Sequence, residues 1–150
     1  FKPDEYWTLT SDFTNKNNMI GWLSAKCDIK DFGQLNVFVL PKERTVFGPM
    51  QIESRIDQDT EISQKFTLWG QKGSRVIRGN LMVIPIKDSL IYAEPIYLQA
   101  TQSKLPELKR VILSYGNNIV MTPTLGGAIN NLFDSQLETT DSSLKKSTKN

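Results

Sequence analysis

Apolar and polar residues alternate with a period of two over 6–10, 19–24 and 35–40, the spacing that sends successive side chains to opposite faces of a half-buried strand. Three strands are predicted there. Between the first two, Thr14-Asn15-Lys16-Asn17-Asn18 supplies short polar side chains that bond their own backbone, which predicts a loop. Gly48-Pro49 then changes the period. Proline is pre-set for the first helical position and Gly48 serves as N-cap, so a short helix through Ile56 is predicted, with Ile52 and Ile56 on one face. Asp59 opens a second helix, its carboxylate facing unbonded NH groups and Glu61 standing in the positive first turn. Ile62, Phe66 and Trp69 form its apolar stripe and Gly70 its stop.

The strand period returns at residue 75, with strands predicted over 75–86, 90–98, 111–115 and 119–121. Lys87-Asp88-Ser89 and Gly116-Asn117-Asn118 have the length and polarity of hairpin connections. Pro85 and Pro95 lack the NH that a central strand donates, which assigns them to edges or bulges. Thr124 caps a final helix carrying Leu125, Ala128, Ile129, Leu132 and Phe133. The predicted fold class is α+β, mainly antiparallel sheet with two or three short helices. A single domain is expected over 1–133. Residues 134–150 are rich in Ser, Thr, Asn and Lys, with Leu137 and Leu144 as their only large aliphatic side chains. They cannot offset their ordering entropy by burial, so a disordered tail or linker is expected.

Composition narrows the chemistry. Histidine is absent, which removes Ser-His-Asp and Cys-His catalysis, imidazole metal sites and imidazole pH switching together. Cys27 is the sole cysteine, so no intrachain disulfide, CxxC motif or thiolate cluster is available, and a core role is expected for it. Eighteen Lys+Arg against 16 Asp+Glu leave a net charge of +2, and no nucleic-acid partner is expected. No cofactor or metal is expected. The longest apolar run, Leu81-Met82-Val83-Ile84-Pro85-Ile86, is far short of the ~20 residues of a membrane-spanning helix. Phe1-Lys2-Pro3-Asp4-Glu5 has neither the basic nor the apolar region of a signal peptide, and a chain opening on Phe1 is expected to be an excised segment.

Few residues suggest a site. Lys72, Arg75 and Arg78 put three cations within seven residues, suited to holding a carboxylate or phosphate by charge-assisted bonds; the alternatives are a solvated strand end or a structural pair with Glu94. Arg75 and Arg78 are three apart and so fall on opposite faces of a regular strand. If one points inward it requires a carboxylate partner, and Glu94 on the returning strand is the nearest in sequence. Tyr92 and Glu94 share a strand face, the geometry of an acid–base pair, but nothing in the sequence raises a carboxyl pKa and no catalytic residue is assigned. Asp57, Asp59 and Glu61 alternate like calcium-loop ligands, yet Ile62 and Leu68 occupy the positions that require Gly and Glu. Gly70-Gln71-Lys72-Gly73-Ser74 has glycines that suit an anion but not P-loop spacing, and is read as a connecting turn. Trp7, Trp22, Trp69, Tyr92, Tyr97 and Tyr115 suit a stacking platform by type; core packing is expected for the tryptophans.

The run 68–86, opening Leu68-Trp69-Gly70-Gln71-Lys72-Gly73-Ser74, and its continuation over 89–98 resemble a bacterial integral-membrane family, uncharacterised protein family 0182. The resemblance also takes in Asn17-Asn18-Met19-Ile20-Gly21-Trp22, Val46-Phe47-Gly48-Pro49, the segment 105–112 and Tyr115-Gly116-Asn117, and spans most of residues 5 to 133. It implies the C-terminal part of a large soluble extracytoplasmic region in a multi-pass membrane protein, and no activity, cofactor or catalytic residue. One departure is Thr124-Leu125-Gly126-Gly127, where acidic, helix-favouring residues usually follow Thr-Leu; each glycine weakens the last helix by about 1 kcal/mol relative to Ala. The expected function is a non-catalytic module that contacts the transmembrane part of its own protein, an envelope protein or an anionic ligand. The alternatives are an envelope enzyme without His or metal, and an anion-sensing module built on Lys72, Arg75 and Arg78.

Overall fold

The computed structural model describes residues 5–10 (backbone), 18–41, 43, 45–71, 73–86, 89–103 and 105–133. Residues 14–17 of the loop expected over 14–18, the turn residues Lys87 and Asp88, and the tail 134–150 lie outside the described residues, while Asn18 forms an isolated bridge with Phe47. The chain divides into two compact units, residues 1–55 and 56–150.

In the first unit the three segments of period two become β1 (Glu5–Thr10), β2 (Met19–Ala25) and β3 (Leu35–Val39), an antiparallel sheet with β2 in the middle. Trp22 of β2 is buried and faces Phe38 of β3 across the ladder, ring centroids 4.7 Å apart. Helix α1 (Pro49–Gln58) starts where Gly48-Pro49 predicts. The Gly48 C=O accepts from the NH groups of Gln51 and Ile52 at 3.0 and 3.1 Å. The Gly48 NH donates in return to Gln51 Oε1 at 2.8 Å, the return half of a capping box with glycine in place of the usual Ser or Thr. Gln51 Nε2 also donates to Asn18 Oδ1 at 2.9 Å, which ties the start of β2 to the helix entry.

The second unit begins in α1 and continues with α2 (Thr60–Gln71). Asp59 caps α2 as predicted, its Oδ1 accepting from the Ile62 NH at 3.0 Å. Gly73, at φ +71°, releases the chain into a sheet. That sheet runs β4 (Ser74–Arg78), β6 (Ser89–Ala100), β7 (Glu107–Tyr115), β8 (Asn118–Thr122), all neighbours antiparallel, with β5 (Met82–Ile86) also on β6. The single strand expected over 75–86 is therefore two. Arg78 pairs with Ile96 and Met82 with Ala93, so Gly79, Asn80 and Leu81 stand opposite only Glu94 and Pro95. The cause is Pro95: it has no NH for the ladder, and its C=O instead accepts from the Gly79 NH at 2.8 Å. Pro95 thus sits in an interior strand, but at a bulge.

Both faces of this sheet are covered. Ile91, Ala93, Val111 and Leu113 pack on one side with Ala128 and Leu132, which come from a third helix, α3, running over 125–133. Thr124 caps it, accepting from the Ala128 NH on its C=O at 3.0 Å and from the Gly127 NH on Oγ1 at 3.1 Å. Each such fully buried Leu or Ile contributes about 1.5–3 kcal/mol. The opposite face carries Tyr92, Glu94 and Ile96, paired across β7 with Ser114, Ile112 and Arg110. Helix α2 reaches this face through Phe66, beside Arg78, and Trp69, beside Arg110. The fold is α+β, mainly antiparallel.

Candidate functional site

Strand alternation separates Arg75 from Arg78, and the two guanidiniums meet different surroundings. Arg75 is exposed and donates from Nη2 to Gln99 Oε1, its cross-strand neighbour, at 3.3 Å. Arg78 turns to the face that α2 covers. There its Nε and Nη2 donate to the two oxygens of Glu94 at 2.5 and 2.9 Å, a side-on bidentate pair. Its Nη1 donates to Asp57 Oδ1 at 2.5 Å, and its Cζ lies 6.0 Å from the centroid of the Phe66 ring. Glu94 is only 2% exposed, while Asp57 at 58% remains largely in water.

The bulge explains how a carboxylate comes to stand there. Glu94 is opposite the three-residue break between β4 and β5, so the last residue of β4, Arg78, reaches it diagonally. Hydrogen bonding to Glu94 is the largest influence on the Arg78 guanidinium and holds its pKa above the ordinary value; burial opposes this, and the charges of Glu94 and Asp57 add to it. One cation thus faces two carboxylates, one buried and one exposed. Both Glu94 oxygens accept from Arg78, and at 2% exposure the carboxylate is closed off from solvent.

Tyr92 projects from the same face as Glu94, next to Ser114 across the ladder. Burial pushes its phenol up to about 12, from an ordinary value of 10. A raised pKa means that the unfolded chain gives up this proton first, so stability is intact below pH 10 and falls as pH rises towards about 12. Urea unfolding between pH 9 and 12 is expected to show a steeper loss in the wild type than in Tyr92→Phe. Parallel curves would mean that Tyr92 titrates alike in both states.

Of the five candidate residues, Arg78, Glu94 and Tyr92 therefore share one face, Arg75 is on the other, and Lys72 lies outside the described residues. Arg75 borders an open hollow of about 560 Å³ together with Ser74, Gln99, Thr101 and Ser103. The residues of the calcium-like triplet go separate ways: Asp57 to Arg78, Asp59 to the α2 cap, and Glu61 to Lys65. Among the described residues no three His, Cys, Asp or Glu side chains converge on a metal position. Sequence reasoning missed Asp57 and Phe66 as partners of Arg78. No spacing signal links them, since both sit on helices that reach the sheet only through tertiary packing.

A model of the Uncharacterised protein family (UPF0182) matches residues 2–69. The chain is similar to the UPF0182 protein of Pelotomaculum thermopropionicum, 54% identical over 132 residues that make up 88% of this chain and 14% of that protein. It is 58% identical to the UPF0182 protein of Desulforamulus reducens over 119 residues, 79% of this chain and 13% of that protein. To the UPF0182 protein of Trichodesmium erythraeum it is 51% identical over 139 residues, 91% of this chain and 15% of that protein. No solved structure matches the chain. It spans only 13–15% of the length of these relatives. Identity above one half over 79–91% of this chain, together with the family-model match to residues 2–69, carries one conclusion: this chain belongs to the UPF0182 family.

Proposed function

We propose that the chain is a non-catalytic interaction module in the extracytoplasmic region, at its C-terminal end, of a multi-pass membrane protein, and that it contacts another part of its own polypeptide or an envelope protein. The observation that carries this reading is a contrast. The buried ionisable centre is internally paired, while β3 presents Leu35, Val37, Phe38 and Val39 more than half exposed. Apolar side chains gathered along one strand are the mark of a contact surface. The membrane setting rests on the resemblance of the 68–98 blocks to multi-pass proteins; no helix among the described residues is long and apolar enough to cross a membrane.

Labelling of lysines with an impermeant amine reagent tests the location. In cells making the full-length protein, Lys30 and Lys109, both exposed, are expected to react while the cells are intact. Reaction only after permeabilisation would contradict the extracytoplasmic reading. A second reading, an anion-sensing module, is favoured by one observation: the hollow beside Arg75, which Ser74, Gln99 and Thr101 also line.

A further inference from the structure

Hydrogen bonds at the two ends of β3 fix which of its backbone groups face β2. The Lys26 NH donates to the Gln34 C=O and the Leu40 NH to the Ile20 C=O, each at 3.0 Å. In an antiparallel ladder the NH and C=O of one residue point to the same side, and the side alternates along the strand. Asn36 and Phe38 therefore face β2, while Leu35, Val37 and Val39 turn their NH and C=O groups outward. Among the described residues no strand pairs with that edge. The same three residues are 61%, 58% and 78% exposed.

Edge strands that face water are usually protected by a charged residue, a proline or a bulge. β3 reads Leu-Asn-Val-Phe-Val and has neither charge nor proline; its pairing with β2 is regular. Outward main-chain donors and acceptors, with apolar side chains on both faces, form an acceptor for an added strand.

We infer that β3 receives an extended segment of the same full-length polypeptide, one with apolar residues on both of its faces. The inference rests on the reading of the chain as an interaction module, and specifies where the contact is made and by what. The occupant follows from the share of the protein present: 85–87% of each relative's length lies outside the matched segment of 13–15%. A strand of the same polypeptide is tethered to β3, whereas a second copy or another protein has to be recruited from outside the chain.

Amide exchange resolved to single residues, on full-length protein in lipid nanodiscs, tests this. The Asn36 and Phe38 amides face β2 with or without an added strand and serve as the internal reference. The Leu35, Val37 and Val39 amides are expected to exchange as slowly as those two, about a hundredfold or more below the unprotected rate. Val37→Pro removes an outward NH but no bond to β2; it is expected to release Leu35 and Val39 while Asn36 and Phe38 stay slow. Slow Asn36 and Phe38 beside fast Leu35, Val37 and Val39 in the wild type would overturn the inference. Cross-links from Val39→Cys between differently isotope-labelled copies, or into another protein, would overturn the choice of occupant. Neither result would alter the lysine-labelling outcome, so the two readings fail separately.

Discussion

Arg78→Met lowers the stability of the 56–150 unit by about 3–5 kcal/mol, because it leaves a buried carboxylate without its countercharge. Glu94 is 2% exposed, so water cannot take over the two bonds that Arg78 supplies. Glu94→Gln is the milder change, at about 1.5–3 kcal/mol, the worth of a hydrogen bond to a charged group. It removes the charge at the buried end and leaves Arg78, whose side chain is 30% exposed and still bonded to Asp57. Asp57→Asn should matter least, since exposed ion pairs contribute roughly 0–1 kcal/mol. Urea unfolding followed through the amides of β6 and β7 ranks the three variants. The reverse order of Arg78→Met and Glu94→Gln would mean that Glu94 is hydrated in the folded protein.

The bulge opposite Pro95 is expected to be almost as sensitive. A Cβ built on Gly79 lies 2.6 Å from Pro95 Cγ and 3.0 Å from the Pro95 carbonyl oxygen. Neither atom can swing aside as the end of a long side chain would, one being in a ring and the other in the backbone of an interior strand. Gly79→Ala therefore pushes β4 away from β6, costing about 1–3 kcal/mol by overpacking and weakening the 2.8 Å bond from the Gly79 NH to the Pro95 C=O. The displacement also separates Arg78 from Glu94. Gly116→Ala provides a contrast: nothing lies within 4 Å of its added Cβ, and the cost there comes from φ +56° alone. Equal stability of Gly79→Ala and wild type would mean that the two strands do not touch at this point.

Much of this architecture was legible in the sequence because it is local. The caps at Gly48, Asp59 and Thr124 follow from residue type and position, and the hairpin between β7 and β8 from Gly116-Asn117-Asn118. Period two placed β2, β3, β6 and β7. It did not separate β4 from β5, since Gly79 and Pro95 break the strand only by meeting each other across the sheet, 16 residues apart in sequence. The same limit applies to the polar centre. The Arg78–Glu94 pairing was legible through the hairpin that folds one strand onto the next, whereas Asp57 and Phe66 join it through helix packing that no periodicity encodes. The outward edge of β3 required the hydrogen bonds flanking it, because alternation gives the faces of a strand but not which backbone groups its neighbour uses.

The central claim is that the conspicuous charged centre holds the fold and leaves contact to the rest of the surface. A double-mutant cycle on Arg78→Met and Glu94→Gln, repeated across a phosphate titration, tests it most directly. A coupling energy of about 2 kcal/mol or more is expected, with no phosphate-dependent stabilisation lost when Arg78 is replaced. Coupling near zero, with phosphate stabilising the wild type but not Arg78→Met, would contradict it and make Arg78 an anion ligand.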